Sequence, residues 1–185
     1  HDAFHAVFLR SPIVRGLLRY LFVDKARAAP DVVAVLTALE AAQDGVANMV
    51  WTGAPARDDG LAGVKSLRPL LNGSVIRHLG EPICMVVAKT RQAAMDALEL
   101  VDVAYETDDA VALTIKDLNG PLVWPDSPDN IAALHRVGDK QAVDAALAAA
   151  ETVVRFDFDV SKVTACPIEM RSALGSIDQD GNLCL

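Results

Sequence analysis

The most regular pattern of apolar and polar residues lies between Arg77 and Glu106, and it predicts a strand, a helix and a second strand. Residues 80–82, Gly-Glu-Pro, are typical of a turn. Residues 83–88, ICMVVA, form a continuous apolar run, which predicts a strand buried on both faces. Thr90 is a typical helix N-cap residue, and the apolar residues after it recur at helical spacing. The pattern then predicts a returning strand over residues 103–106.

Weaker patterns flank this unit. Residues 45–73 contain two prolines and five glycines with little periodicity, which predicts a long excursion over the surface. Runs of apolar, branched and aromatic residues predict further strands, and short amphipathic stretches predict helical turns. The predicted strands are 4–9, 17–23, 32–37, 75–79 and 110–113, and the predicted helical turns are 24–29, 38–43 and 115–118.

The C-terminal third begins with GPLVWPDSPDN, residues 120–130, which has three prolines and no periodicity. Such a segment is typical of an extended crossing or a domain boundary. A strand is predicted over 131–137, and Asp139 is predicted to cap a helix that runs to about Ala150. The alternation over 152–160 predicts a strand, and DQDGN is typical of a hairpin between 173–177 and 183–185.

Composition excludes several classes of protein. The 185 residues carry a net charge of −8, which argues against wrapping a nucleic-acid backbone and against a membrane-surface module. No apolar run approaches the roughly 20 residues of a membrane-spanning helix. The three cysteines lie far apart and form no disulfide framework, so we expect a reducing compartment and a cytoplasmic location. Both ends interrupt a predicted element, and we therefore expect a piece of a longer polypeptide.

Candidate catalytic chemistry is sparse. The sequence contains no nucleophile elbow and no glycine-rich phosphate loop. Cys84 lies inside an apolar strand and is interpreted as a core residue, whereas the reactivity of Cys166 stays open. Metal ligation is not predicted, because the histidines lack the spacing of a metal site. These histidines are His1, His5, His78 and His135.

Two polar clusters have a functional and a structural interpretation. Gly138 and Asp139 precede a predicted helix and could bind an anion there, but an ordinary turn and cap are favoured. Glu169 and Arg171 stand two residues apart, so an extended chain would place both on one face. Ion pairs that fix the local chain path are favoured for them over a substrate-lining role.

The chain contains, in this order, FHAVFLRSP, DKARAAPDVVAVLT, RPLL, RHLGEPICMVVAKTRQAAMDALELVDVAYE, SPDNIAALHRVGD and CPIEMRSALG. Together these motifs resemble the N-terminal part of the large, molybdopterin-binding subunit of the xanthine dehydrogenase, aldehyde oxidase and carbon monoxide dehydrogenase family. The sequence departs from the family pattern at SPIVRG, at Asp31 and at Met170.

The resemblance implies an α+β fold with three parts. An α/β-hammerhead domain would occupy residues 1–118, and a linker would occupy residues 119–130. The first strands and helix of a truncated molybdopterin-binding domain would occupy residues 131–185. The parent enzyme would be an oxidoreductase that hydroxylates or oxidises an aldehyde, an N-heterocycle or a similar small molecule.

Carried over residue by residue, the resemblance assigns no catalytic, cofactor-binding or metal-binding residue to this chain. The cofactor loops and the catalytic glutamate of the family lie further along the large subunit. No cofactor is therefore expected in this chain, and the parent enzyme would use molybdopterin, iron–sulfur clusters and FAD. The resemblance predicts structural motif roles for Arg77, Gly80, Glu81, Pro82, Glu169 and Arg171.

The expected partners are the remainder of the large subunit and the iron–sulfur and FAD subunits, with no nucleic acid or membrane. Exposed strand edges are also expected to promote a homodimer. Two other hypotheses stay open. One is a stand-alone, non-catalytic interaction or scaffold module with the same fold. The other is a thiol-dependent enzyme that uses Cys166.

Overall fold

The computed structural model describes residues 3–46, 48–49, 57–61, 63, 68–108, 120–125, 127, 129–158, 160–161, 165–169 and 171–185. Contacts divide the chain into two compact units, His1–Val137 and Gly138–Leu185, here called unit 1 and unit 2. The elements of unit 1 are β1 (His5–Arg10), β2 (Gly16–Phe22), α1 (Asp24–Arg27), β3 (Val32–Leu36), α2 (Ala38–Gln43), β4 (Asn48–Met49), β5 (Arg68–Pro69), β6 (Val75–Ile76), β7 (Pro82–Ala88), α3 (Arg91–Leu98) and β8 (Asp102–Thr107). Those of unit 2 are α4 (Lys140–Ala149), β9 (Ser176–Ile177) and β10 (Leu183–Cys184).

Unit 1 contains two three-stranded antiparallel sheets, with strand orders β1-β7-β3 and β6-β2-β8. β7 is the central strand of the first sheet, where Val86 lies opposite Val7 of β1 and Val35 of β3. Ile83 and Val86 are fully buried. The prediction of a buried strand from a continuous apolar run is therefore confirmed, and β7 begins one residue earlier than predicted.

Helix α3 packs on this sheet through small side chains. Ala94 and Ala97 are buried in one cluster with Val86 of β7. Alanine lets the helix axis approach the sheet closely and carries no side-chain entropy cost in a helix. The hydroxyl of Thr90 accepts a hydrogen bond from the Ala93 N–H at 3.1 Å, so the predicted N-cap is confirmed.

The thiol of Cys84 is fully buried in β7. Burial raises the pKa of this thiol to about 11. The thiol is therefore protonated at neutral pH, and a protonated thiol is a poor nucleophile. The interpretation of Cys84 as a small core residue is confirmed.

Helix α2 begins with a capping box. The Thr37 hydroxyl accepts a hydrogen bond from the Leu39 N–H at 3.2 Å, and the Glu40 carboxylate accepts one from the Thr37 N–H at 2.9 Å. The same carboxylate also bonds to the Thr37 hydroxyl and to the guanidinium of Arg27 in α1. Hydrogen bonding to Thr37 lowers the pKa of Glu40 to about 2. The capping box thus links α1 and α2 at one end of β3.

Two predicted strands are missing from the described residues. Over 131–137, Leu134 forms only an isolated parallel bridge with Arg57. Residues 152–158 and 160 adopt no strand either. A strand needs a neighbour that pairs along its backbone, and alternation of apolar residues does not supply one. Both predictions are wrong for this structure, and the predictions for 110–113 and 115–118 lie outside the described residues.

Unit 2 consists of α4 and the β9–β10 hairpin. The Asp139 side chain accepts a hydrogen bond from the Ala142 N–H at 2.9 Å, so the predicted cap and helix are confirmed. Between these elements, the side chains of Val154, Phe156 and Phe158 are exposed. Among the described residues, no helix combines the length and the apolar character that crossing a bilayer requires.

Replacing Glu40 with glutamine should lower the free energy of unfolding at pH 7 by about 1 kcal/mol, because the capping box loses its charged acceptor. The pKa of Glu40 in the folded chain, about 2, lies below the ordinary value of 4.5 for a glutamate. Its contribution to stability is therefore fully present above about pH 4.5 and is lost as the pH falls towards 2. Urea denaturation measured between pH 7 and pH 2 should show that the free energy of unfolding falls more steeply with decreasing pH for the wild type than for Glu40→Gln.

The matched control is Glu99→Gln, which removes an exposed carboxylate at the C-cap of α3. It should change the free energy of unfolding at pH 7 by less than about 0.5 kcal/mol. If the free energy of unfolding fell equally steeply with pH in the wild type and in Glu40→Gln, the stabilising role of the Glu40 carboxylate in the capping box would be contradicted.

Candidate functional site

The buried polar residues of unit 1 indicate where its chain path is fixed. Among the described residues, these are Ser11, Arg57, Asn72, Glu81 and Ser127. A polar group loses its hydration when it is buried, so it must find partners within the protein. Ser11, Asn72 and Glu81 have hydrogen-bond partners around the turn at 80–82. Arg57 and Ser127 have partners along residues 120–136.

The turn at residues 80–82 is held in unit 1 by backbone hydrogen bonds. Ser11 donates its N–H to the Glu81 carbonyl at 2.8 Å and accepts the Gly80 N–H at 2.9 Å. Asn72 donates its N–H to the Pro82 carbonyl at 2.7 Å. Gly80 has a φ of +80°, a conformation that glycine adopts without steric cost. The Gly-Glu-Pro sequence therefore suits a turn that is bonded on both sides.

Arg77 connects this turn to a second segment. Its backbone N–H donates to the Glu81 carboxylate at 2.8 Å. Its guanidinium donates to the Val75 carbonyl at 3.0 Å and to the Val123 carbonyl at 3.2 Å. The guanidinium carbon lies 4.2 Å from the centroid of the Trp124 ring, which is a cation–π contact. Arg77 thus holds the backbone and the aromatic ring of residues 123–124.

We call residues 120–136 the strap; positions 126 and 128 within it lie outside the described residues. Arg15 holds its first turn by donating to the Pro121 carbonyl at 3.2 Å and to the Asp108 carboxylate at 3.0 Å. Asn130 accepts the Val123 N–H at 2.9 Å and donates to the Pro121 carbonyl at 3.2 Å. Asn130 adopts a φ of +56°, which asparagine tolerates better than most residues.

The second half of the strap is held by Arg57, whose side chain is only 2% exposed. Its Nη1 donates to the Asp129 carboxylate at 2.8 Å and to the Ile131 carbonyl at 2.9 Å. Its Nη2 donates to Asp59 and to Asp129 at 2.5 Å each, and its Nε donates to Asp59 at 3.1 Å. All five N–H groups of the guanidinium therefore have acceptors. We call this arrangement of Arg57, Asp59, Asp129 and the Ile131 carbonyl the Arg57 clasp.

Backbone contacts extend the Arg57 clasp along the strap. Asp58 donates its N–H to the Leu134 carbonyl at 3.0 Å. The Asp58 carboxylate accepts the Arg136 N–H and lies 3.6 Å from Nδ1 of His135. Residues 57–58 and 134–136 are thus fixed to each other on unit 1.

The Arg57 clasp holds fixed charges. Hydrogen bonds from Arg57 lower the pKa of Asp129 to about 2, and they also lower the pKa of Asp59. Hydrogen bonds to Asp129 and then to Asp59 raise the pKa of Arg57. All three groups stay ionised near neutral pH, so the clasp is suited to holding the chain and not to transferring protons.

A cavity of about 380 Å³ lies beside the contact between Arg77 and Trp124. The ionisable groups among its described lining residues are Arg15, Arg77 and His78. A guanidinium does not release its proton at physiological pH. Both arginines are also engaged with strap carbonyls. These contacts favour a supporting role for the cavity wall over a catalytic one.

The structure brings four of the predicted motif residues together in unit 1, namely Arg77, Gly80, Glu81 and Pro82. Glu169 and Arg171 lie in unit 2, and both are exposed. Cys166 is also exposed. The structural roles of the six motif residues and the reactivity of Cys166 stay predictions.

A metal site in a protein needs several ligating side chains that lie near one another. Within the described ranges, no group of three or more His, Cys, Asp or Glu side chains is placed to hold a metal ion. His78 borders the cavity and His135 lies beside Asp58, whereas His1 lies outside the described residues.

Sequence reasoning missed the Arg57 clasp. Its only signals are the run Arg-Asp-Asp at 57–59 and the acidic Asp129, each within an irregular segment. The two partners stand 72 residues apart, so local patterns give no reason to pair them. The same holds for Arg15 and Pro121, which stand 106 residues apart.

The two compact units do not follow the predicted domain boundaries, and they do not test them. The strap belongs to unit 1, which ends at Val137, whereas a linker was predicted over 119–130. The cause is visible in the hydrogen bonds from Arg15, Arg57 and Arg77 to strap carbonyls. The domain boundaries at 118 and 130 stay predictions.

Residues 1–109 match the family model for the a/b hammerhead domain of aldehyde oxidase and xanthine dehydrogenase. The chain is 32% identical over 184 residues to the nicotine 6-hydroxylase large subunit of Paenarthrobacter nicotinovorans, covering 92% of this chain and 22% of the relative. It is 28% identical over 186 residues to the carbon monoxide dehydrogenase large chain of Afipia carboxidovorans, covering 93% and 22%. The chain therefore spans about a fifth of the length of these relatives.

Solved structures of related enzymes are also similar to this chain. The crystal structure of quinoline 2-oxidoreductase from Pseudomonas putida superposes with a TM-score of 0.74 at 28% identity, over 97% of this chain and 22% of that chain. A Cu,Mo-CO dehydrogenase superposes with a TM-score of 0.64 at 27% identity, over 80% and 19%. The predicted α+β fold with an α/β-hammerhead domain is confirmed.

Replacing Arg77 with methionine should loosen the first half of the strap, because the hydrogen bond to Val123 and the contact with Trp124 are lost. We expect the free energy of unfolding to fall by about 1–2 kcal/mol. With Trp51 replaced by phenylalanine, the emission of Trp124 should shift to the red as its ring becomes hydrated. Urea denaturation followed by fluorescence measures both effects.

Arg91→Met is the matched control for this experiment, because Arg91 is the exposed first residue of α3. It should leave the emission of Trp124 unchanged. An emission spectrum of Arg77→Met identical to that of the parent would argue against the contact between Arg77 and Trp124.

Proposed function

Because the chain belongs to the aldehyde oxidase and xanthine dehydrogenase family, we propose that it forms the N-terminal, non-catalytic part of the large subunit of a molybdenum hydroxylase. Two of its relatives are named as large subunits or chains of oxidoreductases, and the chain spans 22% of the length of each. Its task would be to support the catalytic part of the same subunit.

The observation that carries this proposal is the exposed apolar surface of unit 2. Phe156 is 74% exposed, Phe158 is 85% exposed and Val160 is 84% exposed. Burying one such side chain stabilises a protein by roughly 1.5–3 kcal/mol. An exposed apolar surface of this kind is therefore typical of an interface with another part of a protein. The relatives extend well beyond the length of this chain, and the remainder of such a large subunit is the cover that we propose.

The proposed parent enzyme hydroxylates or oxidises an aldehyde, an N-heterocycle or a similar small molecule. Nicotine 6-hydroxylase and quinoline 2-oxidoreductase, two of the proteins it resembles, are named after N-heterocycles. We therefore place an N-heterocycle first among these substrates. The substrate would bind to residues outside this chain.

Molybdopterin would supply the redox chemistry of the parent enzyme. Among the described residues, no group of three or more His, Cys, Asp and Glu side chains is placed to hold a metal ion. The engaged arginines of unit 1 likewise hold carbonyl and carboxylate groups of the chain itself. In the proposed enzyme the cofactor would be bound by residues outside this chain.

The proposed partners are the remainder of the large subunit and the iron–sulfur and FAD subunits or domains. A cytoplasmic location would suit a chain whose three cysteines are all free thiols. The structural motif roles of Arg77, Gly80, Glu81 and Pro82 lie in holding the turn and the strap. Glu169 and Arg171 would fix the chain path in unit 2, and exposed strand edges would favour a homodimer of the isolated chain.

The test is made on protein from the native cells, isolated through an antibody against unit 1. The masses of all co-purifying chains and the molybdenum, iron and FAD contents are measured on one sample. We expect one large chain that contains this sequence, partner chains, and all three cofactors.

Recovery of a free chain of 185 residues without molybdenum, iron or FAD would refute the proposal. It would instead support a stand-alone interaction or scaffold module with the same fold.

A further inference from the structure

The Arg57 clasp is placed immediately before the end of unit 1. Within the clasp, Arg57 binds Asp129 and the Ile131 carbonyl. Beside it, the Asp58 carboxylate accepts the Arg136 N–H. Unit 1 ends at Val137, one residue later. The point at which the chain leaves unit 1 is therefore defined by contacts that converge on residues 57–59.

The chemistry of the clasp suits this task better than ordinary packing would. The strap contains three prolines, which lack an N–H and cannot take part fully in a sheet. A planar guanidinium supplies five donors in a fixed fork, so it can bind two carboxylates and a carbonyl at once. A lysine in the same place would supply a compact charge without this geometry.

Because Arg57 is buried, its guanidinium depends on its partners within the protein. Its side chain is 2% exposed, whereas those of Asp59 and Asp129 are 26% and 34% exposed. A buried guanidinium that loses its partners is strongly destabilised, so the strap and the excursion at 57–59 are expected to hold or open together.

We infer that Arg57 is a positioning residue, which fixes the start of the molybdopterin-binding region on the hammerhead domain so that the parent enzyme retains its cofactor. This inference rests on the proposed function. It assigns Arg57 no contact with substrate or cofactor.

The test uses the full-length large subunit in its complex. Arg57→Met removes the fork, and Arg136→Met is the matched control, because Arg136 is exposed and only its backbone N–H contacts Asp58. We expect subtilisin to cut the Arg57→Met strap roughly ten to a hundred times faster than the wild-type strap, read by mass spectrometry. Molybdenum content should fall in parallel, and Arg136→Met should match the wild type in both readouts.

A triple variant separates positioning from stability. Arg57→Met leaves the carboxylates of Asp59 and Asp129, which both bind Nη2 of Arg57, next to each other without their shared cation. Combining it with Asp59→Asn and Asp129→Asn removes this repulsion, so thermal stability should recover. The strap should nevertheless remain open to subtilisin and molybdenum should stay low. Recovery of both readouts in the triple variant would show that Arg57 acts only through stability and would overturn the inference.

The inference would also be overturned if Arg57→Met had the same cleavage rate and the same molybdenum content as the wild type. Molybdenum missing from the wild-type complex itself would refute the proposed function instead. In that case the subtilisin readout would still decide whether Arg57 holds the strap.

Discussion

The attachment of the strap to unit 1 depends on arginine side chains that donate hydrogen bonds to strap carbonyls lying outside the two three-stranded sheets. The strap carries prolines at 121, 125 and 128, so it lacks donors of its own at these positions and cannot enter a regular ladder. Arg15, Arg77 and Arg57 supply donors to the carbonyls of Pro121, Val123 and Ile131 in turn. A segment that would otherwise cross the surface as a free linker is thereby fixed to the hammerhead domain.

The turn at 80–82 and the strap are held through the same arginine. The Glu81 carboxylate binds the backbone of Arg77, and Arg77 in turn binds the strap at Val123 and Trp124. Buried charge is therefore used to hold two distant segments of chain together, with no proton transfer required. Polar contacts of this kind suit the supporting role proposed above.

The sequence predicted β7, α3 and β8 well, because a continuous apolar run, a capping threonine and a helical stripe are local signals. It failed at 131–137 and at 152–160, although the second segment carries alternating apolar residues, because the described residues there form no strand pairing beyond the isolated bridge of Leu134. Of the site, the turn at 80–82 could be predicted from its glycine and proline. The partners of Arg57 could not, because 72 residues separate it from Asp129 and the pairing is decided by tertiary structure.

Hydrogen–deuterium exchange on this chain, resolved to single amides, tests the central claim most directly. The account predicts slow exchange for the strap amides of Val123, Ile131 and Arg136, each of which has a side-chain acceptor, at rates close to those of β7. It predicts fast exchange for residues 153–158 of unit 2, which are exposed. Strap amides that exchange as fast as those of residues 153–158 would show that the arginines do not hold the strap and would contradict the account.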